Sequence, residues 1–391
     1  MSARVLIVGV STRAAAQSAA RAGFSVTAID AFADLDQHPA VRAEAVRGRF
    51  TPDAAVRRAC EIAADAVVYL SNIDNHPALV GALARGSALW GNAPDVLRKA
   101  RNPARVADAL RSRGLAAARA CRRPGVAAQS PASWLLKPIA SGGGRGIRVW
   151  DGSAVPRGRY LQEMVAGVPG SVAFVAAGGR VVPIGLSRQL AGERAFGAAG
   201  YRYCGSILAA AGDPQFEDDE RLTDAACRLA AAAAEAFGLV GVNGVDFIAR
   251  GGVPYAIEVN PRWSASMELV ERVYGLSVFG AHAAACAEGR LPAFDLRRAR
   301  AGTCGAVGRA IVFARRDLRT GDTRAWLRDP DIRDVPSPGQ RIAAGRPVCT
   351  VFAAGRDSTT CLAALAARAA GVYETLEAWE LRPGGRRGLR R

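Results

Sequence analysis

The residues alone describe an α/β protein with an α+β core, and three textures along the chain say so. From Val5 to Trp90, short continuous apolar runs alternate with helical periodicity, the mark of a parallel sheet covered by helices. From Trp134 the apolar runs follow one another closely, joined by glycine turns such as Gly178-Gly179, which describes antiparallel sheet. After Ala301 a third block, strand-rich with Pro and Gly turns ("VPSPGQRIAAGRPVCTVFAAG"), ends in a helix. These textures divide the chain at 1–96, 97–300 and 301–381, with a basic tail at 382–391.

Residues 5–9 form an apolar strand, 13–22 a helix ended by Gly23, and "FSVTAID" a second buried strand closing on Asp30. "AVVYL" repeats the pattern, with a helix after Pro77 and a short strand "ALW". Two helical pieces follow at 94–100 and 103–113. The second has Asn102 as N-cap, Pro103 in its first turn and Gly114 past its end. Strands "WLLKP", "GIRVW", "YLQEMV", "SVAFVAA" and "RVVPIGL" precede a long helix over 220–237. A hairpin "VDFIARGGVPYAIEVN" and helices "SMELVERVYG" and "VFGAHAAACAEG" complete the middle part, and 358–370 is the last helix.

With 391 residues, half of them hydrophobic and 22% charged, the chain can bury a large core. Net charge is +17, yet 50 of the 52 basic residues are arginines scattered over predicted helix faces, and aromatics make up only 6%. That pattern is a general preference for arginine, and nucleic acid is not expected as a partner. Eight dispersed cysteines without a C-x-x-C pair, and only three histidines, argue against zinc and against a disulfide framework. No apolar run approaches the roughly eighteen residues of a membrane span, and the run after Arg4 is shorter than the core of a signal peptide. A cytoplasmic, thiol-reduced protein without a membrane partner is expected.

The chemistry gathers in three places. Lys137, one of only two lysines beside Lys99, precedes "SGGGRG". The loop Ser141, Gly142, Gly143, Gly144 and Gly146 lets backbone fold flat over an anion, its N–H groups aimed at phosphate oxygens. It is neither a Walker A loop nor a dinucleotide-binding fingerprint. In so arginine-rich a chain, the two lysines mark positions where a compact ammonium is needed. Second, Glu258 and Asn260 stand two apart on a strand, with Ile257 and Val259 facing the other way. Asp246 lies on the preceding strand. Pairing 246 with 258 brings three oxygen donors together and calls for a loop of odd length around Gly251-Gly252. Such hard donors suit Mg²⁺ shared with nucleotide phosphates. Third, "YLQEMVAG" is a strand running into an apolar hinge.

In this order the pieces resemble the ATP-grasp superfamily, and within it a subgroup of predicted ATP-dependent carboligases related to biotin carboxylase. The carrying segments are Lys99 before a helix, Lys137 with "ASGGGRGI", "LQEMV", "VDF" and "EVNPR". The resemblance implies an ATP-grasp fold with a Rossmann-like pre-ATP-grasp domain at 1–96 and a closing domain at 301–381. It implies that Lys99 and Lys137 hold the α- and β-phosphates, that the 141–146 loop covers them, and that Glu163 with the Met164 and Val165 backbone meets adenine. Asp246 and Glu258 would bind one Mg²⁺ and Glu258 and Asn260 a second, with Mn²⁺ as a substitute. Lys137, Asn260 and Arg262 would be the catalytic residues, Arg262 neutralising the γ-phosphate and an acyl phosphate. The implied activity is carboxylate–amine ligation through that acyl phosphate. A neighbouring branch that joins tyramine to glutamate in methanofuran synthesis points to a one-carbon cofactor pathway.

Several relatives place a ribose-binding carboxylate seven residues after the hinge glutamate, where this chain has Gly170. Candidates for the substrates are Arg188 and Gln189 after an apolar strand, and Ser11 and Arg13 at the carboxyl end of the first strand. Caps and turns are the expected roles of Ser11, Thr12, Arg13, Asp30, Asp34 and Asp36, although the three aspartates could attract an amine. Association through the first domain is common in relatives, which makes a homodimer an expectation. The competing readings are a non-catalytic ATP-binding regulator, which predicts damage to the "EVNPR" set, and a biotin carboxylase-like enzyme, whose bicarbonate and biotin residues are not identifiable in this chain. A Rossmann oxidoreductase lacks its glycine fingerprint at "GVSTRA".

Overall fold

The computed structural model describes residues 2–123, 125 and 133–381, so the basic tail lies outside the described residues. Its first part is a five-stranded parallel sheet ordered Val41–Ala45, Ser25–Asp30, Arg4–Val8, Ala66–Tyr69, Ala88–Leu89. The central strands are the apolar runs, buried on both faces. Strand Val41–Ala45 has no counterpart in the sequence reading. "VRAEA" carries little apolar signal because it is an edge strand with one neighbour and no buried residue.

The body of the molecule is an eight-stranded antiparallel sheet. Its order is Val253–Asn260, Gly241–Arg250, Val168–Ala177, Arg180–Ala191, Tyr203–Ala209, Ala306–Phe313, Pro347–Gly355, Ile332–Arg333. Period-2 alternation sorts its side chains. Val172, Phe174 and Ala176 join Val245 and Phe247 under helix Asp219–Phe237, whose buried alanines let it lie close. Ala173, Val175 and Ala177 face the other way, toward helices Ser266–Tyr274 and Val278–Glu288 and the apolar face of the N-terminal sheet. The sheet passes through residue 301 without a break, so the third block of sequence continues the second block's sheet.

A small four-stranded sheet, ordered Ala120–Cys121, Arg159–Glu163, Trp134–Pro138, Arg148–Val149, stands apart on its own cluster of Trp134, Leu136 and Leu161. Between it, the large sheet and the carboxyl ends of the parallel strands lies a cavity of about 990 Å³. The last helix runs over Ser358–Leu381, well beyond the expected 370. Among the described residues no helix is long and apolar enough to cross a membrane.

Candidate active site

The floor of the cavity is the hairpin Gly241–Arg250 and Val253–Asn260. Its loop is two residues, Gly251 and Gly252, at φ 54° and 70°, the left-handed pair of a tight hairpin turn. This corrects the odd-length loop expected from the sequence. An even loop alone would turn Asp246 away from Glu258, but a bulge intervenes: Phe247 pairs with Ala256 while Asp246 pairs with Glu258. The extra residue is Ile257. It restores the pairing and, contrary to simple alternation, lines the cavity together with Glu258. Asn260 donates to Asp246 Oδ2 at 2.9 Å, which holds all three donor residues on one patch.

Burial, and then the Glu258 carboxylate, push Asp246 up to about 6, against the hydrogen bonds from Ser171 and Asn260. Glu258 moves the other way. Arg101 and Lys137 hold its pKa below the ordinary range in spite of burial. A cation between the two carboxylates relieves the repulsion that Asp246 carries. With no group of three or more His, Cys, Asp or Glu among the described residues, the donor set is two carboxylates and one amide. Hard, sparse donors of this kind fit Mg²⁺ that takes its other ligands from phosphates and water.

The roof is the small sheet. Lys137 is 7% exposed, and its Nζ donates to Gln162 Oε1 at 2.8 Å, with the Tyr160 ring 5.9 Å away. Gln162 in turn donates from Nε2 to the Ile257 carbonyl at 2.9 Å, tying the roof to the bulge in the floor. Burial lowers the Lys137 pKa, while Glu258 and Asp246 draw it back up, so the ammonium faces the carboxylates across the cavity. The glycine loop bends over the same space. Gly143, Gly144 and Gly146 have φ of 63°, 72° and 71°, and a Cβ on Gly144 would stand 1.8 Å from the Tyr201 carbonyl oxygen. Tyr203 N donates to the Gly143 carbonyl at 3.1 Å, so the loop is docked on the large sheet. The Ser141 hydroxyl donates to the Arg145 carbonyl at 3.0 Å and thus shapes the loop from within.

Lys99 is not part of the site. It is exposed on helix Pro94–Ala100 and lines no cavity, so the phosphate role expected for it is corrected. Two residues on, the helix has ended and the chain turns inward. Arg101 lies there, its side chain 10% exposed, bonded to the Glu258 carboxylate and donating to the Val259 carbonyl at 3.0 Å and to Asn75 Oδ1 at 2.7 Å. Asp74, fully buried in the short helix Ile73–Asn75 that follows the "AVVYL" strand, lies between Arg101 Nε at 3.5 Å and Arg262 Nε at 3.0 Å. Arg262 also donates to Asn260 Oδ1 at 3.0 Å. Its position is set by the Pro261 carbonyl, which accepts from Asn92 Nδ2 at 3.0 Å and Tyr69 Oη at 3.2 Å. The sequence reading missed Arg101, Asp74, Asn75, Asn92 and Gln162. The polar "SNIDN" after an apolar strand was the available signal for two of them, whereas Arg101 was hidden by the abundance of arginine.

Glu163, Met164 and Val165 line the cavity at the hinge. Glu163 is paired with Arg119 at 3.1 Å, and the Met164 N–H is committed to the Ser133 carbonyl, so that amide is not free for a ligand. Gly170 pairs with Phe247, and a Cβ there would stand 2.6 Å from the Phe247 ring, with Phe216 at 3.0 Å. A ribose-binding carboxylate at this position is sterically excluded. Arg188 pairs with Gly170 and shares its face, turned away from the cavity, which corrects its candidacy; Gln189 does line the cavity. Ser11 and Arg13 line it too, but Arg13 is fully buried and paired with Asp334 at 2.8 Å and Glu268 at 2.6 Å.

A small sheet closes a glycine loop over an ammonium, above a hairpin that carries paired carboxylates and an arginine, and this is the arrangement expected of an ATP-grasp domain. Residues 104–266 match the sequence model of the ATP-grasp domain. The matched stretch is less than half of the chain and marks an ATP-grasp domain within it. Its fold is similar to that of Rhizobium etli pyruvate carboxylase T882A with acetyl coenzyme A (TM-score 0.69, 17% identity, 96% of this chain covered). The chain spans only 37% of that protein's length. It is also similar to Campylobacter jejuni biotin carboxylase in its β,γ-ATP complex (TM-score 0.67, 15% identity, 92% of this chain and 89% of that one). Bacillus licheniformis L-amino acid ligase has the same TM-score, 0.67, at 15% identity, over 95% of this chain and 97% of that one. At these identities the likeness is one of fold. No curated protein matches the sequence.

Proposed function

We propose that the protein is an ATP-dependent ligase that joins a small-molecule carboxylate to an amine through an acyl phosphate. One observation carries the reading: Lys137, the glycine loop, Asp246, Glu258, Asn260 and Arg262 converge on one cavity from three separate stretches of chain. A carboxylate oxygen attacks the γ-phosphorus and ADP leaves. The amine nitrogen then attacks the acyl carbon, inorganic phosphate leaves, and the nitrogen gives up a proton. Little covalent work falls to the protein, so placed charge is the lever.

In this reading Lys137 and the loop N–H groups grip the phosphates, while the Met164–Val165 hinge flanks the base. Asp246, Glu258 and Asn260 hold Mg²⁺, two ions in the full set and replaceable by Mn²⁺. Bound there, the metal supplies charge neutralisation at the transferring phosphoryl group. Arg262, anchored by Asp74, neutralises the acyl phosphate, and Arg101 keeps Glu258 ionised. All of these residues come from one chain. Structural kinship to an L-amino acid ligase supports the amide-forming version.

The test is release of ADP and phosphate from ATP and Mg²⁺ with a panel of amino acids, polyamines and pterin or furan precursors, the last chosen for the one-carbon link. Turnover is expected only with a matching acid and amine, and Glu258→Gln is expected to abolish it. Unchanged turnover in that variant overturns the assignment.

A further inference from the structure

The cavity extends well past the phosphate grip. Its far wall is the carboxyl edge of the parallel sheet, with Val10 and Ser11 after one strand, Phe32 and Asp34 after a second, Leu70 and Ser71 after a third, and it is closed by Val348 to Thr350 of strand Pro347–Gly355. Open α/β sheets hold ligands at such an edge. The charge there is unbalanced. Asp34, Asp36, Asp334 and Glu268 share two guanidinium groups, those of Arg13 and Arg309.

Asp36, Asp334, Glu268 and the adjacent Asp30 each have a hydrogen-bond or ion-pair partner, although Glu268 Oε2, 3.3 Å from Arg309 Nη1, is also buried without a hydrogen bond. Asp30 accepts from Thr12 N and Oγ1 and from the Phe32 and Ala33 amides, at 2.7 to 3.1 Å. Asp36 accepts from the Asp334 and Val335 amides at 3.1 and 2.8 Å. Asp334 accepts from Arg13 and from Thr350 Oγ1, and Glu268 lies 2.6 Å from Arg13 Nη2. Asp34 differs. It is 6% exposed, lines the cavity, and its Oδ2 is buried with no hydrogen-bond partner among the described residues. Burial, then Asp334, Asp30 and Asp36, push its carboxyl well above the ordinary range. A buried carboxyl oxygen left unmatched is costly unless a donor arrives from outside.

We propose that Asp34, with Asp334 beside it, binds an ammonium group of the amine co-substrate, which makes that co-substrate a diamine, polyamine or basic amino acid. An ammonium held among carboxylates keeps its proton and is no nucleophile. The group recognised at Asp34 is therefore distinct from the nitrogen that attacks the acyl carbon, and the co-substrate carries both. The inference deepens the ligase reading and rests on it for the fate of the second nitrogen, but the binding event itself does not require ATP.

The test is calorimetric titration of the full chain, without nucleotide, with 1,4-diaminobutane, 1,5-diaminopentane and L-lysine, against 1,4-butanediol and succinate as neutral and anionic counterparts. At least one dication is expected to bind tenfold or more tightly than either counterpart. Asp34→Asn is expected to weaken that binding at least tenfold while ATP binding, measured separately, stays within twofold. Binding of the dications no tighter than the diol, unchanged binding in the folded variant, or succinate binding that depends on Asp34 each overturns the proposal. The wild-type comparison decides the matter if the variant fails to fold. Should ATP fail to bind at all, the ligase reading falls, while the dication titration still decides whether Asp34 holds an ammonium.

Discussion

Lys137 and Lys99 show how differently two lysines can be used. Lys137 is buried, hydrogen-bonded and opposed by carboxylates; Lys99 looks into solvent. A guanidinium at 137 would have to fit a forked, wider group between Gln162 and Tyr160. Lys137→Arg is therefore expected to lower kcat/KM for ATP by about a hundredfold, comparable with losing one preorganised donor in other enzymes. Lys99→Ala is expected to stay within about twofold. Steady-state kinetics at saturating co-substrates checks both. Rarity in an arginine-rich chain singled out one lysine that lines the cavity and one that does not, because rarity reports on chemistry only where the side chain is buried. Burial depends on where helix Pro94–Ala100 ends, which its sequence does not fix to the residue.

The glycine run and the hairpin act as units. Glycine was legible as a turn in "SGGGRG", but which glycine is indispensable was not, since Gly142 and Gly143 have open space where Gly144 meets the Tyr201 carbonyl. Gly144→Ala combines a positive φ with a backbone clash. It is expected to raise the KM for ATP about tenfold or more with little change in melting temperature, whereas Gly142→Ala leaves KM within about twofold. In the hairpin, the sequence allowed Asp246 opposite Glu258 only with an odd-length loop; the pairing is present, but by another means. Two-residue glycine loops and odd-length loops both fit "ARGGVP", and a bulge at Ile257 leaves no compositional trace. Strand Val41–Ala45 was missed for a related reason: an exposed edge needs no apolar pattern.

The three blocks read from texture pack as one body. His282 stands at one seam, its Nδ1 accepting from the Val242 amide at 3.0 Å and its ring against the Trp90 carbonyl at 3.3 Å. Burial holds this imidazole neutral, its pKa lowered to about 4. A folded-state value below the unfolded one means that the unfolded chain takes up the proton first. The stability contribution is complete above about pH 6.5 and is lost as the pH falls toward 4, at most about 3 kcal/mol. Melting temperatures between pH 7 and pH 4.5 are expected to fall more steeply for the wild type than for His282→Gln.

The unbroken eight-stranded sheet also governs what dissection of the chain can yield. Strand Tyr203–Ala209 is zipped along its outer side by Ala306–Phe313, over five residue pairs. A fragment ending at residue 300 would bare that row of amides and carbonyls in the middle of an apolar surface, an invitation to self-association. Such a fragment, expressed by itself, should come out as oligomers or inclusion bodies. Supplying residues 301–391 as a separate polypeptide should restore a soluble one-to-one complex, as size-exclusion chromatography with light scattering would reveal.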